Sequence, residues 1–283
     1  MTKTILVGDV GSTKSSWYLS GPENRYISLP GYNPLVQSLS RGQEMVEGLF
    51  REINPVRPDV IWYYGAGVIE LQAADLVRTL ISASFPSGSI HISTDLEGAA
   101  RAACGRDPGT VAILGTGSHA AVFDGYHILR QANALGYILG DEGGGSDIGR
   151  SLVQAYFYNE MPELVRIEMK KLIPAGRAEF LKELYHSAAP NQFLADIARV
   201  AVGLHDHPWI KNLVAERFHL FVKRHLVPLA PVGPVHILGS IGCIFAGLIE
   251  KELNYHGIRT GQLIKDPSYR LFEMHITHDF NEK

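Results

Sequence analysis

The chain has 283 residues, 46% of them apolar, and a formal charge of -3, which is enough apolar material for one large domain or two modest ones. It has no run of Lys and Arg long enough to track a phosphate backbone, which argues against nucleic acid as a partner, and no stretch near the ~18 apolar residues of a membrane span. Cys104 and Cys243 stand far apart and encode neither a disulfide framework nor a zinc site. With no signal-like segment after Met1, a cytoplasmic protein with small-molecule ligands is expected.

The chain opens on a hairpin pattern: Ile5-Leu6-Val7, the turn Gly8-Asp9-Val10-Gly11-Ser12-Thr13, then Ser16-Trp17-Tyr18-Leu19. Residues 25–29 read as a third strand, closed by Pro30-Gly31-Tyr32-Asn33-Pro34. Residues 39–53 show helical spacing, with Met45, Leu49 and Phe50 on one face. A strand over 60–64, a helix over 73–85, a strand over 89–93 running into Thr94-Asp95, and a helix over 96–103 follow. Gly105-Arg106-Asp107-Pro108-Gly109 is a turn cluster. Then the opening device returns as Val111-Ala112-Ile113-Leu114, Gly115-Thr116-Gly117-Ser118 and Ala120-Ala121-Val122-Phe123.

The second half inserts material. Residues 135–148 are glycine-rich, and 150–225 are largely helical, with breaks expected near Pro162, Pro174, Pro190 and Pro208. A strand over 235–238 leads through Gly239-Ser240-Ile241-Gly242 to a helix over 243–255. An α/β unit started twice predicts two domains, 1–108 and 109–283.

Glycine-rich turns between buried strands let backbone N–H groups approach an anion. Gly8 to Ser15 invites comparison with a P-loop, but Thr13 stands where the second glycine belongs and a strand follows, not a helix. Asp9 inside such a turn implies a cation, Mg²⁺, between it and a phosphate; the alternative is an Asp capping its own turn. Gly115 to Ala120 has the spacing of a dinucleotide fingerprint, yet it too precedes a strand, which argues against NAD. Asp95 ends a strand where open α/β sheets place ligand contacts; it is either a catalytic base or the N-cap of the next helix. Gly140 through Arg150, with five glycines and four charged residues, could bring backbone close to a polar ligand, with Asp141 or Glu142 accepting from hydroxyls. The pairs His205/His207 and His275/His278 lack metal-site spacing and read as surface histidines.

In this order the segments resemble the actin-like ATPase superfamily of sugar kinases, acetate kinase, actin and heat-shock chaperones. Within it the likeness is to the N-acetylglucosamine kinase branch, related to the ATPase activators of benzoyl- and hydroxyacyl-CoA enzymes. The first phosphate motif matches Gly8 to Ser15, the second Leu114 to Ser118, the adenosine motif Leu238 to Gly242, and the family's G-D-E-G segment Gly140 to Gly143.

The resemblance implies two ribonuclease H-like domains flanking a nucleotide and sugar cleft. It also implies an ATP- and Mg²⁺-dependent kinase that phosphorylates an amino sugar, N-acetylglucosamine or N-acetylmuramic acid, at the C6 hydroxyl. Asp95 would be the catalytic base and Asp9 the metal residue, through water. ATP would be held by Gly11, Ser12, Thr13, Lys14, Thr116, Gly239 and Ser240, and the sugar by Asn33, Asp95, Ser118, His119, Gly136 and Asp141. A homodimer is compatible with the family. Leu135 stands where the animal enzymes carry a tryptophan beside the sugar, and Ile244 replaces a polar residue after the adenosine motif. An ATPase activator without a sugar acceptor is the alternative.

Overall fold

A computed structural model describes residues 3–86, 88–173 and 176–277. The chain divides into two compact units, Met1–Asp107 with Gly125–His127 and Asp266–Lys283, and Pro108–Asp124 with Ile128–Lys265.

The first unit contains β1 (Ile5–Val10), β2 (Lys14–Leu19), β3 (Arg25–Pro30), α1 (Leu39–Ile53), β4 (Val60–Gly65), α2 (Leu71–Ser84), β5 (Ser89–Thr94) and α3 (Asp95–Cys104). Its sheet runs β3-β2-β1-β4-β5, an antiparallel meander whose first strand pairs in parallel with β4, and β4 with β5. Alternation along β1 decides which side chain goes where. Leu6 and Val10 enter one core with Trp17, Met45, Leu49 and Ile81, beneath α1 and α2. Val7 faces the opposite side with Trp62 and Tyr64; by the same alternation so does Asp9.

The second unit repeats this order. It has β6 (Gly109–Leu114), β7 (Ser118–Phe123) and β8 (Ile128–Gln131), then helices α4 (Gly136–Leu139), α5 (Gly145–Phe157), α6 (Glu163–Leu172), α7 (Arg177–His186), α8 (Pro190–Ile197), α9 (Arg199–Gly203) and α10 (Pro208–Phe221). A π-helical turn, Val222–Leu226, follows, then α11 (Val227–Leu229), β9 (Val235–Leu238), α12 (Ser240–Ile244), α13 (Ala246–Tyr255) and β10 (Thr260–Ile264). The sheet reads β8-β7-β6-β9-β10, with β6, β9 and β10 parallel. The helical insertion and β6, β7 and β9 share one apolar core built on Ile148, Leu152, Phe218 and Phe221.

Pro162 is the N-cap of α6, and Pro190 and Pro208 open α8 and α10. These prolines start helices, where a missing N–H costs nothing. Pro174 and His278 lie outside the described residues.

The final helix, α14 (Ser268–Thr277), belongs to the first unit, not to the second as the expected 109–283 boundary placed it. Leu271 and Phe272 are fully buried against Val7, Trp62 and Tyr64, and Phe272 stacks on Tyr18 at 5.4 Å. His275 on this helix, expected at the surface, is buried. It stacks on Trp62 at 4.3 Å and shares a 2.8 Å hydrogen bond with the Tyr64 hydroxyl.

Burial, then Arg101 and His91, push the His275 imidazole down to about 3 from its ordinary 6.5. The unfolded chain therefore takes this proton first, so the contribution is intact above pH 6.5 and lost as pH falls toward 3. His275→Gln, which does not titrate, is expected to be less stable than wild type at pH 8. That gap should narrow by up to about 1.4 kcal/mol per pH unit on acidification below 6.5, read by urea unfolding at pH 8, 6 and 5. A gap that stays constant would show that the imidazole is not held neutral.

Candidate active site

The first unit gathers the residues of the opening turn. Gly11 N–H donates to Lys14 O at 3.0 Å and closes the hairpin. Gly31 N–H donates to Thr13 O at 2.9 Å, an approach so close that a Cβ on Gly31 would lie 2.0 Å from Gly11 O. Gln37 Nε2 donates to Ser12 O at 3.2 Å, and Asn33 Nδ2 to Ser12 Oγ at 3.1 Å. Asn33 thus braces the turn; its Oδ1 accepts from Leu35 N, and it abuts Gly67, whose φ is +77° and whose Cβ would lie 2.0 Å from that oxygen. Lys14 is exposed at the start of β2, with Nζ 5.9 Å from the Tyr26 ring centre.

Asp95 is the first residue of α3, and the N-cap is Thr94, whose Oγ1 accepts from Glu97 N at 3.1 Å. The capping role weighed for Asp95 therefore belongs to its neighbour. Asp95 Oδ1 accepts from Leu96 N at 2.9 Å, and the helix N-terminus favours a negative charge there. Burial, then the charges of Asp95 and Asp266, push the Asp9 carboxyl up to about 7, against an opposite effect of Lys14. Asp266 had no signal in the sequence. It joins this cluster because it caps the start of α14, accepting from Ser268 N at 3.0 Å and Oγ at 2.5 Å. Like charges that act on one another in this way suit a hard cation, which would offset their mutual repulsion. All three carboxylates are oxygen donors, the kind that Mg²⁺ takes.

In the second unit three glycine-rich segments meet at the turn after β6. Gly145 N and Ser146 N, at the start of α5, donate to Gly115 O and Thr116 O at 2.8 Å each, and Gly115 N donates to Gly117 O at 3.0 Å. A Cβ on Gly144 would lie 2.6 Å from the Gly117 carbonyl carbon, and one on Gly239 2.5 Å from Leu114 O. The G-D-E-G segment and the adenosine motif therefore both rest directly on this turn. Thr116 Oγ1 donates to Gln192 Oε1 at 3.4 Å, and Ser240 is exposed at the start of α12.

Asp141 adopts φ +57° and lies against the turn, where a Cβ on Gly117 would meet its Oδ2 at 2.7 Å. Burial raises its carboxyl, opposed by the Ser118 backbone and reinforced by Glu142 and Asp147. Ser118 Oγ is buried with no hydrogen-bond partner among the described residues. His119, on the opposite face of β7, bonds Ala132 O at 3.3 Å, so these two residues do not converge on one point. Gly136 has φ +70° and open space where a Cβ would be.

Glu142 and Asp147, unlike Asp9, have built-in partners. Arg224 Nη1 at 2.5 Å and His225 Nε2 at 2.8 Å, both on the π-helical turn, reach Glu142. Burial pushes this carboxyl up, and those two bonds, with a backbone hydrogen bond, act the other way and leave it below its ordinary value. Asp147 accepts from Gly143 N at 3.0 Å and from Arg150 Nη2 at 2.6 Å. A cavity of about 700 Å³ elsewhere in this unit, against Phe180, Phe193 and Leu204, includes none of the sequence-predicted site residues.

Among solved structures the chain is similar to a candidate N-acetylglucosamine kinase from Porphyromonas gingivalis, at 27% identity over 97% of this chain and 99% of that one, with a TM-score of 0.85. A candidate N-acetylglucosamine kinase from Chromobacterium violaceum follows at 17% identity, 96% and 99% coverage and TM-score 0.71. A ROK family glucokinase from Streptomyces griseus, solved with glucose and AMPPNP, matches at 14% identity, 93% of each chain and TM-score 0.57; at such identities the likeness is one of fold. No protein-family model and no curated protein sequence matches the chain. The chain shares the fold of these kinase structures, two α/β units each built on a five-stranded sheet, as in actin-like ATPase domains.

Glu142→Gln keeps the shape but removes the charge that His225 and Arg224 face. It is expected to cost about 2 kcal/mol of stability, measured by chemical denaturation, because a buried imidazole loses its carboxylate. An unchanged midpoint would show that the π-helical turn does not anchor the G-D-E-G segment.

Proposed function

We propose that the chain is an ATP- and Mg²⁺-dependent sugar kinase whose acceptor is an N-acetylated amino sugar, N-acetylglucosamine foremost, phosphorylated at its C6 hydroxyl. The observation that carries this reading is the state of the two turns. In each, carbonyl oxygens are taken by the protein: Ser12 O and Thr13 O in the first, Gly115 O, Thr116 O and Gly117 O in the second. A turn with its carbonyls tied back presents its N–H side to an anion. The resemblance to a candidate N-acetylglucosamine kinase along nearly the whole chain supports the acceptor class, and the glucokinase solved with glucose and AMPPNP supports a sugar and a nucleotide as the ligand pair.

On this reading Asp95 orients the acceptor hydroxyl and takes its proton as the oxygen bonds to the γ-phosphorus of ATP, whose bond to the β,γ-bridging oxygen breaks so that ADP leaves. It needs no large pKa shift if the proton leaves late in a loose transition state. The N–H groups of residues 12–13 and 116–117 stabilise charge on the phosphoryl oxygens, and Asp9 would hold Mg²⁺. When bound, the cation neutralises charge on the phosphates. Asn33, Ser118, Gly136 and Asp141 are assigned to the sugar, and Lys14, Gly239 and Ser240 to the nucleotide; His119, bonded to Ala132 O on the other face of β7, is set aside from the sugar contacts.

The test is ATP consumption across a panel of amino sugars and plain hexoses. N-acetylglucosamine or a close relative is expected to stimulate turnover. Asp95→Asn should lower kcat by about 10²- to 10⁴-fold while ATP still binds. Asp9→Asn should raise the Mg²⁺ concentration needed for half-maximal rate. If no sugar stimulates turnover, or Asp95→Asn keeps the wild-type rate, the kinase reading fails; ATP hydrolysis that ignores sugar would favour an ATPase regulator instead.

A further inference from the structure

Helices α10 and α13 pack side by side in the second unit, joined by the buried Val214, Phe218, Ile249 and Leu253. At the end of this contact stand His219, in the last turn of α10, and Glu252 and His256, one helical turn apart at the end of α13. His219 Nδ1 lies 2.8 Å from Glu252 Oε1, and His256 Nε2 lies 3.2 Å from the same oxygen. One atom from each of the three residues falls within 4.8 Å of the others, the one such group among the described residues.

We propose that His219, Glu252 and His256 form a binding site for a late first-row divalent cation, Zn²⁺ foremost. Two imidazoles and one carboxylate are the donor set such ions prefer, and three protein ligands leave a position for water. Mg²⁺, which takes oxygen donors, is disfavoured here. Two further observations support the site. His256 Nε2 is cut off from solvent and makes no hydrogen bond of acceptable geometry, despite its distance from Glu252; buried polar atoms without a partner are rare, and a metal bond would supply one. His219 is 44% exposed on its side chain, so an ion can enter from solvent.

The site would pin the end of α13 to α10. Because α13 follows α12, which begins within the adenosine motif, the pin acts on the helix behind that motif. The proposal depends on the geometry of the second unit and not on the kinase reading, so either can fail without the other.

Full-length protein, stripped with a chelator and dialysed, is titrated with Zn²⁺ by calorimetry and with Co²⁺ by absorption spectroscopy. One Zn²⁺ per chain, a raised Tm and the visible Co²⁺ bands of a four- or five-coordinate site are expected. His219→Ala and His256→Ala should each lose all three signals, while His205→Ala, which alters an exposed His–Asp pair, should retain them. Circular dichroism verifies that the variants are folded, and His219, being exposed, is the substitution the fold best tolerates. No stoichiometric binding to wild type, or equal binding to folded His219→Ala, would overturn the proposal and leave a hydrogen-bonded His–Glu–His cluster.

Discussion

The turns on which this molecule depends are held from behind by their own carbonyl groups. A tight Gly/Ser/Thr turn has peptide dipoles pointing both ways, and it attracts an anion only if the oxygens are engaged elsewhere. The first unit achieves this with side chains and one glycine: Gln37 reaches Ser12 O and Gly31 reaches Thr13 O. The second uses the start of a helix, with Gly145 and Ser146 on Gly115 O and Thr116 O. Backbone this close leaves no room for Cβ atoms, which is why Gly31, Gly144 and Gly239 stand where they do. The two sheets share one strand order, yet the braces differ, so the repeated topology carries two separately built supports.

The carboxylates divide along similar lines. Glu142 and Asp147 are buried with their own partners, Arg224 and His225 for the first and Arg150 for the second, at 2.5 to 2.8 Å. Such pairs fix geometry, and a group so fully satisfied has little left for a ligand. Asp9 faces two further carboxylates, and Lys14 is the one cationic group that acts on it in the opposite direction. A carboxylate left in that condition in the folded chain is a strain on the fold that a bound cation would relieve. The chain therefore neutralises the acidic groups that shape its loops and leaves unneutralised those beside Asp95.

Much of this was legible in the sequence because it depends on local pattern. Residues 39–53 form the helix their spacing predicts, and both hairpins lie where the Gly/Ser/Thr turns place them. What escaped notice depends on tertiary contact. Asp266 looks like an ordinary turn residue before Pro267, and only the docking of α14 on β1 and α3 brings its charge to Asp9. His275 carries a residue type that favours the surface, but Trp62 and Tyr64 supply a stacking partner and a hydroxyl, so burial costs it the proton and not its place. The π-helical turn has no sequence signature; it is visible only through the bonds of Arg224 and His225 to Glu142. Glu252, three residues upstream of Tyr255, reads as a solvated helix position until α10 is seen beside it.

The placement of α14 joins these threads. A chain that had ended its second unit at β10 would leave the Val7, Trp62 and Tyr64 face of the first sheet uncovered and Asp9 in a wetter setting, with its carboxyl nearer the ordinary range. By returning to the first unit, the last helix buries Leu271 and Phe272 there and delivers Asp266 to the end of β1. The apolar face of the helix and the charge at its start therefore act together: the helix that packs on the first unit also brings one of the charges that raise the Asp9 carboxyl. The core of this unit and the electrostatic setting of its opening turn thus cannot be varied independently.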